Sequence, residues 1–286
     1  MGLKPIRGPA VRELGLALPP EPMPAWRGGR PLKRWRYVGV YTPHVMLCVG
    51  DARIGPVPQR WWAVALPGGE LHERTTFGRG GVEVSDSSVR VKARGVRIEL
   101  DLDESPGIEI VSPVETGRPD PAARPYIWTR KQACVPVRGF IELDGRRLSV
   151  DGDGAFVDDS AGYHARHTVW SWSAGVGVAA DGRRIGWNLV EGVHDDPFAS
   201  ERTLWIDGEP VAVGPASFAE DLSEIGFDDN HGVLRFEEWS RRESSTNALL
   251  LRNRYSQPFG TFAGSLPGGL QLAEGFGVME RHDVHW

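Results

Sequence analysis

The stretch Val89-Arg-Val-Lys-Ala-Arg-Gly-Val-Arg-Ile-Glu-Leu-Asp-Leu-Asp103 decides the fold class. On one side of its Arg94-Gly95 junction Val89, Val91 and Ala93 alternate with Arg90, Lys92 and Arg94. On the other, Val96, Ile98, Leu100 and Leu102 alternate with Arg97, Glu99, Asp101 and Asp103. A period of two sends one side of each run into a core and the other into water, so both read as half-buried strands of one hairpin. Their outer sides carry opposite charge, which favours the pairing. The same pattern continues along the chain. Asp144-Gly145, Asp181-Gly182 and Asp207-Gly208 each separate two strand-like runs, and Asp-Gly supplies the positive φ that a tight hairpin turn demands. Helical patterning is confined to Pro9–Ala17 and Pro215–Ile225, so the expected class is all-β and antiparallel, with little helix.

Composition sets the outer limits. The 286 residues carry 33 Lys+Arg and 38 Asp+Glu, a net charge of -5, with 40% apolar and 25% charged residues, a globular balance. No run approaches the ~20 apolar residues of a membrane span. The start, Met1 to Arg36, is basic and Pro/Gly-rich without a secretory apolar core. Two cysteines, Cys48 and Cys134, make neither a disulfide framework nor a Cys-based zinc site. The expectation is a cytoplasmic protein with no integral membrane association. Weak acidity argues against nucleic acid as a partner, and the local excess of six positive charges over residues 1–36 reads as a solvated arm or edge strand. Gly (36) and Pro (22) make about a fifth of the chain against an ordinary ~12%, and there are 11 tryptophans. Many turns with many large aromatics suggest a wide, aromatic-lined interior. Residues 104–125, with Pro106, Pro113, Pro119, Pro121 and Pro125, read as a long crossing loop, and the acidic stretch 151–159 as a second break. The division that follows is an arm over 1–32, a first β-unit over 33–150 and a second over 151–286.

Motifs of nucleotide, metal and serine chemistry are missing. Gly175-Val-Gly177 lacks a third glycine and a following helix. Asp151, Asp153 and Asp158 lack the carboxylate that would complete a calcium loop. His164 and His167, three apart, fall on opposite sides of a strand. Neither a metal nor a cofactor is expected. The densest chemistry runs from Asp158 to Glu191. With residues 163–172 as one strand, His164, Arg166, Thr168, Trp170 and Trp172 share a face and Tyr163 begins the other. That face is too polar for an ordinary core and too aromatic for a surface, a mixture that suits a ligand cavity. Trp187, Asn188 and Glu191 come close across the Asp181-Gly182 turn. The plainer alternative makes the three tryptophans core and pairs Arg166 with Glu191. Near the end of the sequence Glu280 and His282 share one side of a short strand. Arg252 and Arg254 alternate on an earlier strand, as a carboxylate or phosphate clamp or, more commonly, as surface ion pairs.

Several of these segments resemble a bacterial family catalogued as domain of unknown function 2804. They are Lys33-Arg-Trp-Arg-Tyr-Val-Gly-Val-Tyr41, Met46-Leu-Cys-Val-Gly-Asp51, Gly162-Tyr163 with Ala165-Arg166 and Thr168-x-Trp170-x-Trp172, and Asn188-Leu-Val-Glu-Gly192. Gln257-Pro-Phe-Gly-Thr-Phe-x-Gly264 and Gly277-Val-Met-Glu280 to Trp286 complete the set. His167 stands where the family usually has Glu. More distantly the layout is similar to tandem lipocalin-like proteins that include carotenoid hydratases and cyclases of terpenoid or polyketide chains. That resemblance implies two lipocalin-like antiparallel barrel or sandwich units in tandem, around a small hydrophobic ligand.

Three functions are then open. The first is an enzyme acting by proton transfer on an apolar small molecule: hydration, isomerisation or cyclisation. It needs a carboxylic acid kept protonated by a dry setting, with Glu191, Asp158 and Glu280 as candidates. It also needs aromatic walls for developing positive charge (Tyr163, Trp170, Trp172, Trp187) and a relay, His164. Arg166, Asn188, Arg252 and Arg254 would orient the substrate. The second is a non-catalytic lipid or pigment binder using the same cavity. The third is a carbohydrate-active protein, which requires two facing carboxylates.

Overall fold

The computed structural model describes residues 4–78, 80–115, 124–228, 232–248 and 251–286. The N-terminal segment holds β1 (Ile6–Arg7), a 3-10 turn at Pro9–Leu14, β2 (Trp26–Arg27) and β3 (Arg30–Pro31). Next come β4 (Lys33–Tyr41), β5 (Met46–Ile54), β6 (Val57–Ala65), β7 (Leu71–Phe77), β8 (Val82–Val84) and β9 (Ser88–Ala93). They are followed by β10 (Val96–Leu102), β11 (Ile108–Pro113), β12 (Tyr126–Leu143) and β13 (Arg146–Gly162). The second half holds β14 (His167–Ala179), β15 (Arg184–Glu191), β16 (Thr203–Ile206), β17 (Glu209–Ala212) and β18 (Ala216–Phe218). It ends with β19 (Glu224–Phe227), β20 (Val233–Ala248), β21 (Leu251–Leu266) and β22 (Leu270–His285). The hairpins form where alternation and turn chemistry place them: Ala93 pairs with Val96, Leu143 with Arg146 and Ile206 with Glu209. Asp144 and Asp207 adopt φ of 46° and 51°, the left-handed conformation that Asp tolerates.

The strands form two curled antiparallel half-barrel sheets in tandem. Their orders are β7-β6-β5-β4-β13-β12-β10-β9-β8, with β11 and β1 attached through β12, and β17-β16-β15-β14-β22-β21-β20-β19-β18. The plan is the same twice. In each unit a four-strand meander runs outward from the first strand, and the last strand returns beside that first one, so β4 beside β13 matches β14 beside β22. Three sequence expectations change here. Residues 104–125 contain β11 as well as loop, and Pro119 and Pro121 lie outside the described residues. Pro215–Ile225 forms strand and turn, because Ala216–Phe218 pairs with Ile225–Phe227. The division near residue 150 falls inside β13, whose pairings all stay in the first sheet; the second sheet begins at His167.

Alternation sorts the central strands into two buried faces. The inner face of the first unit is filled by aliphatic side chains, among them Val38, Val40, Leu47, Val49, Ile98 and Leu100. That of the second is filled by Trp187, Leu189, Leu204, Phe262 and Met279. Neither unit is therefore the wide, hollow cup that the aromatic content suggested. The opposite faces meet in a third layer, a seam between the units holding Tyr37, Tyr41, Met46, Cys48 and Phe156 from one side and Trp172, Val190, Phe259 and Phe276 from the other. The N-terminal segment covers a separate small cluster with Val11, Val111, Tyr126 and Tyr163.

Trp187 shows how tightly the second interior is packed. It is fully buried, stands edge-on to Phe262 at 5.0 Å and donates its Nε1–H to Ser173 Oγ at 3.0 Å. A side chain at Gly175, its cross-strand partner, would run into the indole. Trp187→Ala should cost about 3–5 kcal/mol in urea denaturation. Because the residue faces away from the seam, the packing of Trp170 and Trp172, read by near-UV circular dichroism of the still-folded variant, should persist.

Candidate functional site

Two aligned strand faces build the seam. On β4 the residues turned towards the second unit are Lys33, Trp35, Tyr37, Gly39 and Tyr41. A side chain at Gly39 would strike the Tyr41 phenol, so glycine lets that ring lie back along its own strand. The Tyr41 hydroxyl then meets Tyr37 Oη at 3.0 Å. On β14 the matching face holds Trp170, Trp172, Ala174 and Val176. Tyr37 and Trp172 meet edge to face at 5.6 Å, and Phe156 touches Trp172 at 5.7 Å. Trp172 Nε1–H donates to Asn188 Oδ1 at 2.8 Å, and Asn188 Nδ2–H donates to the Glu201 carbonyl at 2.9 Å. The pair Trp172 and Asn188, expected in one cluster, is brought together.

The returning strand of each unit carries one acid into this layer. Asp158 on β13 pairs with Tyr37, and Glu280 on β22 pairs with Trp172, so the two occupy equivalent places in the two sheets. Their surroundings differ. Glu280 is buried, with Oε1 accepting from Trp170 Nε1–H at 2.8 Å and Oε2 from Gln257 Nε2–H at 2.9 Å. Among the described residues no Lys or Arg forms an ion pair with it. Burial pushes its carboxyl up to about 7; Trp170 and Tyr255 hydrogen bonds pull the other way, and the charge of Asp158 adds to the rise. Asp158 faces Lys131 at 2.5 Å, and Lys131 also lies 3.4 Å from Glu201, which enters from the loop after β15. Burial works against the Lys131 charge, but the two carboxylates prevail and raise its pKa.

Beyond Glu280 the polar layer continues. His282 stacks obliquely on Trp170 at 4.3 Å, with Tyr255 at 5.1 Å, and burial pushes its imidazole down to about 4, which leaves it neutral. Cys48 lies between Gln257 Oε1 at 3.5 Å and an Arg242 guanidinium nitrogen at 3.6 Å, while Arg242 Nε donates to Glu73 at 2.8 Å. Tyr37, Tyr41, Lys131, Glu201, Arg242, Tyr255 and Gln257 were not among the expected site residues. The signal for the first two was present in the Tyr-x-Gly-x-Tyr spacing of β4. The others become neighbours only when the sheets dock.

Six expected site residues lie elsewhere, and a seventh sits apart. The strand breaks at 163–166, so Arg166 is exposed rather than in phase with Trp170. Tyr163 packs on Tyr126 at 5.6 Å and donates to the Pro24 carbonyl at 2.7 Å, under the N-terminal segment. Trp187 and Glu191 face the interior of the second unit, and Glu191 accepts from Phe218 N–H at 3.2 Å. Arg252 and Arg254 are exposed on β21, on the face opposite Glu280. His164 is buried at one end of the seam, 5.0 Å from Trp35. Two open recesses of the surface lie away from the seam: one is lined by Phe227, Val233, Arg235 and Gln271, the other by Leu204, Ile206, Val211 and Leu270. Around Trp172 the rings are in contact, so the expected hollow is a closed aromatic layer. His167, Asp283 and His285 gather potential ligand atoms within 4.8 Å at the far end of β14 and β22, with Arg252 and Arg254 across the ladder opposing any added cation.

Removing the cation that serves two buried carboxylates exposes the electrostatics directly. Lys131→Met should destabilise the fold by about 3–5 kcal/mol at pH 7. Denaturation at pH 5 should recover part of the loss as Asp158, already pushed upward by burial, takes a proton.

Comparison with known proteins places this architecture. A Nitrosomonas europaea protein provisionally named AttH superposes with a TM-score of 0.51 at 13% identity, over 94% of this chain and 99% of that one. Kievitone hydratase from Nectria haematococca does so with a TM-score of 0.55 at 13% identity, over 87% and 88%. These likenesses establish a shared tandem lipocalin-like fold. No curated protein matches the chain in sequence. The profile described as "Domain of unknown function (DUF2804)" matches residues 67–286, most of the first unit and all of the second, and the chain belongs to that family.

Proposed function

We propose that this protein is an acid/base enzyme that adds water to, or isomerises, an alkene or enol of an apolar small molecule at the seam, with Glu280 as the proton donor. The observation that carries the reading is the contrast between two equivalent acids. Asp158 is matched by a lysine, whereas Glu280 is buried against neutral donors and held near pH 7. Burial raises both acids, but Lys131 pulls Asp158 back towards its charged form, and that difference separates their roles. The protonated Glu280 gives its proton to one alkene carbon, and the cation left on the other is stabilised by the faces of Trp170, Trp172 and Tyr37. Water adds to that cation and returns a proton to the Glu280 carboxylate, which closes the cycle. If instead a neighbouring C–H is lost, the same carboxylate takes the proton back, which gives an isomer and restores the acid. The half-buried Trp170 and His282 form the rim by which a substrate enters, and the closed layer excludes water until it does.

Kievitone hydratase, a hydratase by name, has the same fold, which supports this reaction class as an analogy of architecture. The carrier reading uses the same seam but gives the elevated acid no task. The carbohydrate reading asks for an open groove with two facing carboxylates, and among the described residues neither surface recess is lined by one.

The test is incubation with prenylated and polyketide-like alkenes in H2(18)O, scored by mass spectrometry for labelled addition and for isomers. The wild type should give product, and Glu280→Gln should lose about a hundredfold or more of the rate. Activity should fall as pH rises through about 7, where Glu280 loses its proton. The sign for stability runs the same way. A carboxyl whose folded pKa exceeds its unfolded value stabilises below the unfolded value, and the contribution is lost as pH rises through the folded one. Glu280→Gln should therefore be the more stable protein above pH 7. Undiminished turnover in Glu280→Gln, or a co-purified lipid that is never transformed, would overturn the catalytic reading.

A further inference from the structure

One end of the seam collects polar groups with no hydrogen-bond partner. Lys33, the first residue of β4, is 2% exposed, and its Nζ stands 4.0 Å from the centre of the Trp286 ring. Among the described residues it makes no ion pair with a carboxylate. Beside it, His164 Nε2 and Trp286 Nε1 are both buried without a hydrogen-bond partner, and so is Ser160 Oγ, two residues along β13 from the Gly162 that pairs with Lys33. His164 lies 6.2 Å from Trp286 by ring centres. The positive charge of Arg30 bears on this end too: after burial, it is the next cause lowering the Lys33 amine to about 7.

A buried cation without a counter-ion costs several kcal/mol, of which an indole face returns about 2. Unpaired buried polar groups add about 1–3 kcal/mol each. A fold that maintains these liabilities side by side is complete when something fills them. What is missing is one negative charge and two acceptor oxygens, the inventory of a carboxylate. The neighbourhood also says where the rest of such a molecule runs. Trp286 is 6.5 Å from His282, and His282 is 4.3 Å from Trp170, the indole that holds Glu280. The donor cluster and the acid are joined by a file of aromatic rings.

We infer that the seam takes an apolar carboxylic acid, its carboxylate held by Lys33, His164 and Trp286 and its hydrocarbon lying along Trp170 towards Glu280. This rests on the reading of the seam as the substrate site and adds the class of substrate. Ligand charge then matches the protein where the protein lacks it, and the reacting carbons are placed at a fixed reach from the head group.

Calorimetric titration with decanoate, decan-1-ol and decyl phosphate tests it. The wild type should bind decanoate at least about tenfold more tightly than the alcohol. Lys33→Met should erase that preference and leave decan-1-ol binding unchanged, with a Tm equal to or above that of the wild type because an unpaired buried charge has been removed. Trp286→Phe, which keeps an aromatic ring and deletes one donor, should weaken decanoate several-fold and the alcohol far less, a readout independent of how Lys33→Met folds. Glu280→Gln should keep the decanoate preference even where turnover is lost, which separates this inference from the catalytic one. Equal binding of acid and alcohol, a preference that survives Lys33→Met, or tighter binding of decyl phosphate would overturn the carboxylate assignment and leave the acid/base reading standing. Failure of all three probes to bind would overturn both.

Discussion

Burial of the central strands on both faces is the constraint from which the rest of the molecule follows. β4, β13, β14 and β22 each turn one side to a packed unit interior and the other to the seam. On such strands a polar side chain has no water to fall back on, so it must find a partner or remain a cost. The interiors avoid the problem by being largely apolar. The seam does not, and it concentrates charge, phenols, indoles and imidazole in one dry layer. Asp158 and Glu280 then diverge for a simple reason: β12 supplies Lys131 beside one, and β21 supplies Gln257 beside the other.

Much of this was legible in the sequence. Alternation over Val89–Asp103 and the Asp-Gly turns give the class and most of the hairpins, and the spacing of Glu280 and His282 puts them on one face. The register of the β14–β15 hairpin was not legible: a two-residue Asp181-Gly182 turn would set Val176 opposite Trp187, whereas Gly175 stands there. Pairing Val178 with Arg184 sets even residues opposite even ones, so Trp187 and Glu191 must point away from Trp170 and Trp172. The misplacement of Arg166 has another cause. A strand assumed continuous over 163–172 breaks at 163–166, and a break resets the phase. The seam itself could not be read, because Val38-Gly-Val-Tyr41 and similar runs are apolar on both sides and lose the alternation that would assign faces. Lys131, Glu201, Arg242 and Gln257 meet their partners only through docking of sheets distant in sequence.

The repeated strand plan explains why each unit brings one acid into the layer at all. Each unit closes by laying its last strand against its first, and in each an acid on the last strand sits opposite an aromatic on the first. No repeat is visible in the residues themselves. The equivalence survives in hydrogen-bond register, while the side chains beside each acid have been chosen separately.

Glu201 bonding to Lys131 and Thr129, and Glu73 to Arg242, are polar clasps that cross between the halves. Their geometry has a consequence for the chain as it emerges during synthesis. The amino-terminal half can complete its own curl by Gly162, yet it would then offer Tyr37, Met46, Cys48 and Phe156 to the surroundings as an adhesive plate until the carboxy-terminal half arrives. Nascent chains of this protein should therefore depend on chaperones most heavily during that interval, and the two halves, however alike in plan, should lead no separate existence.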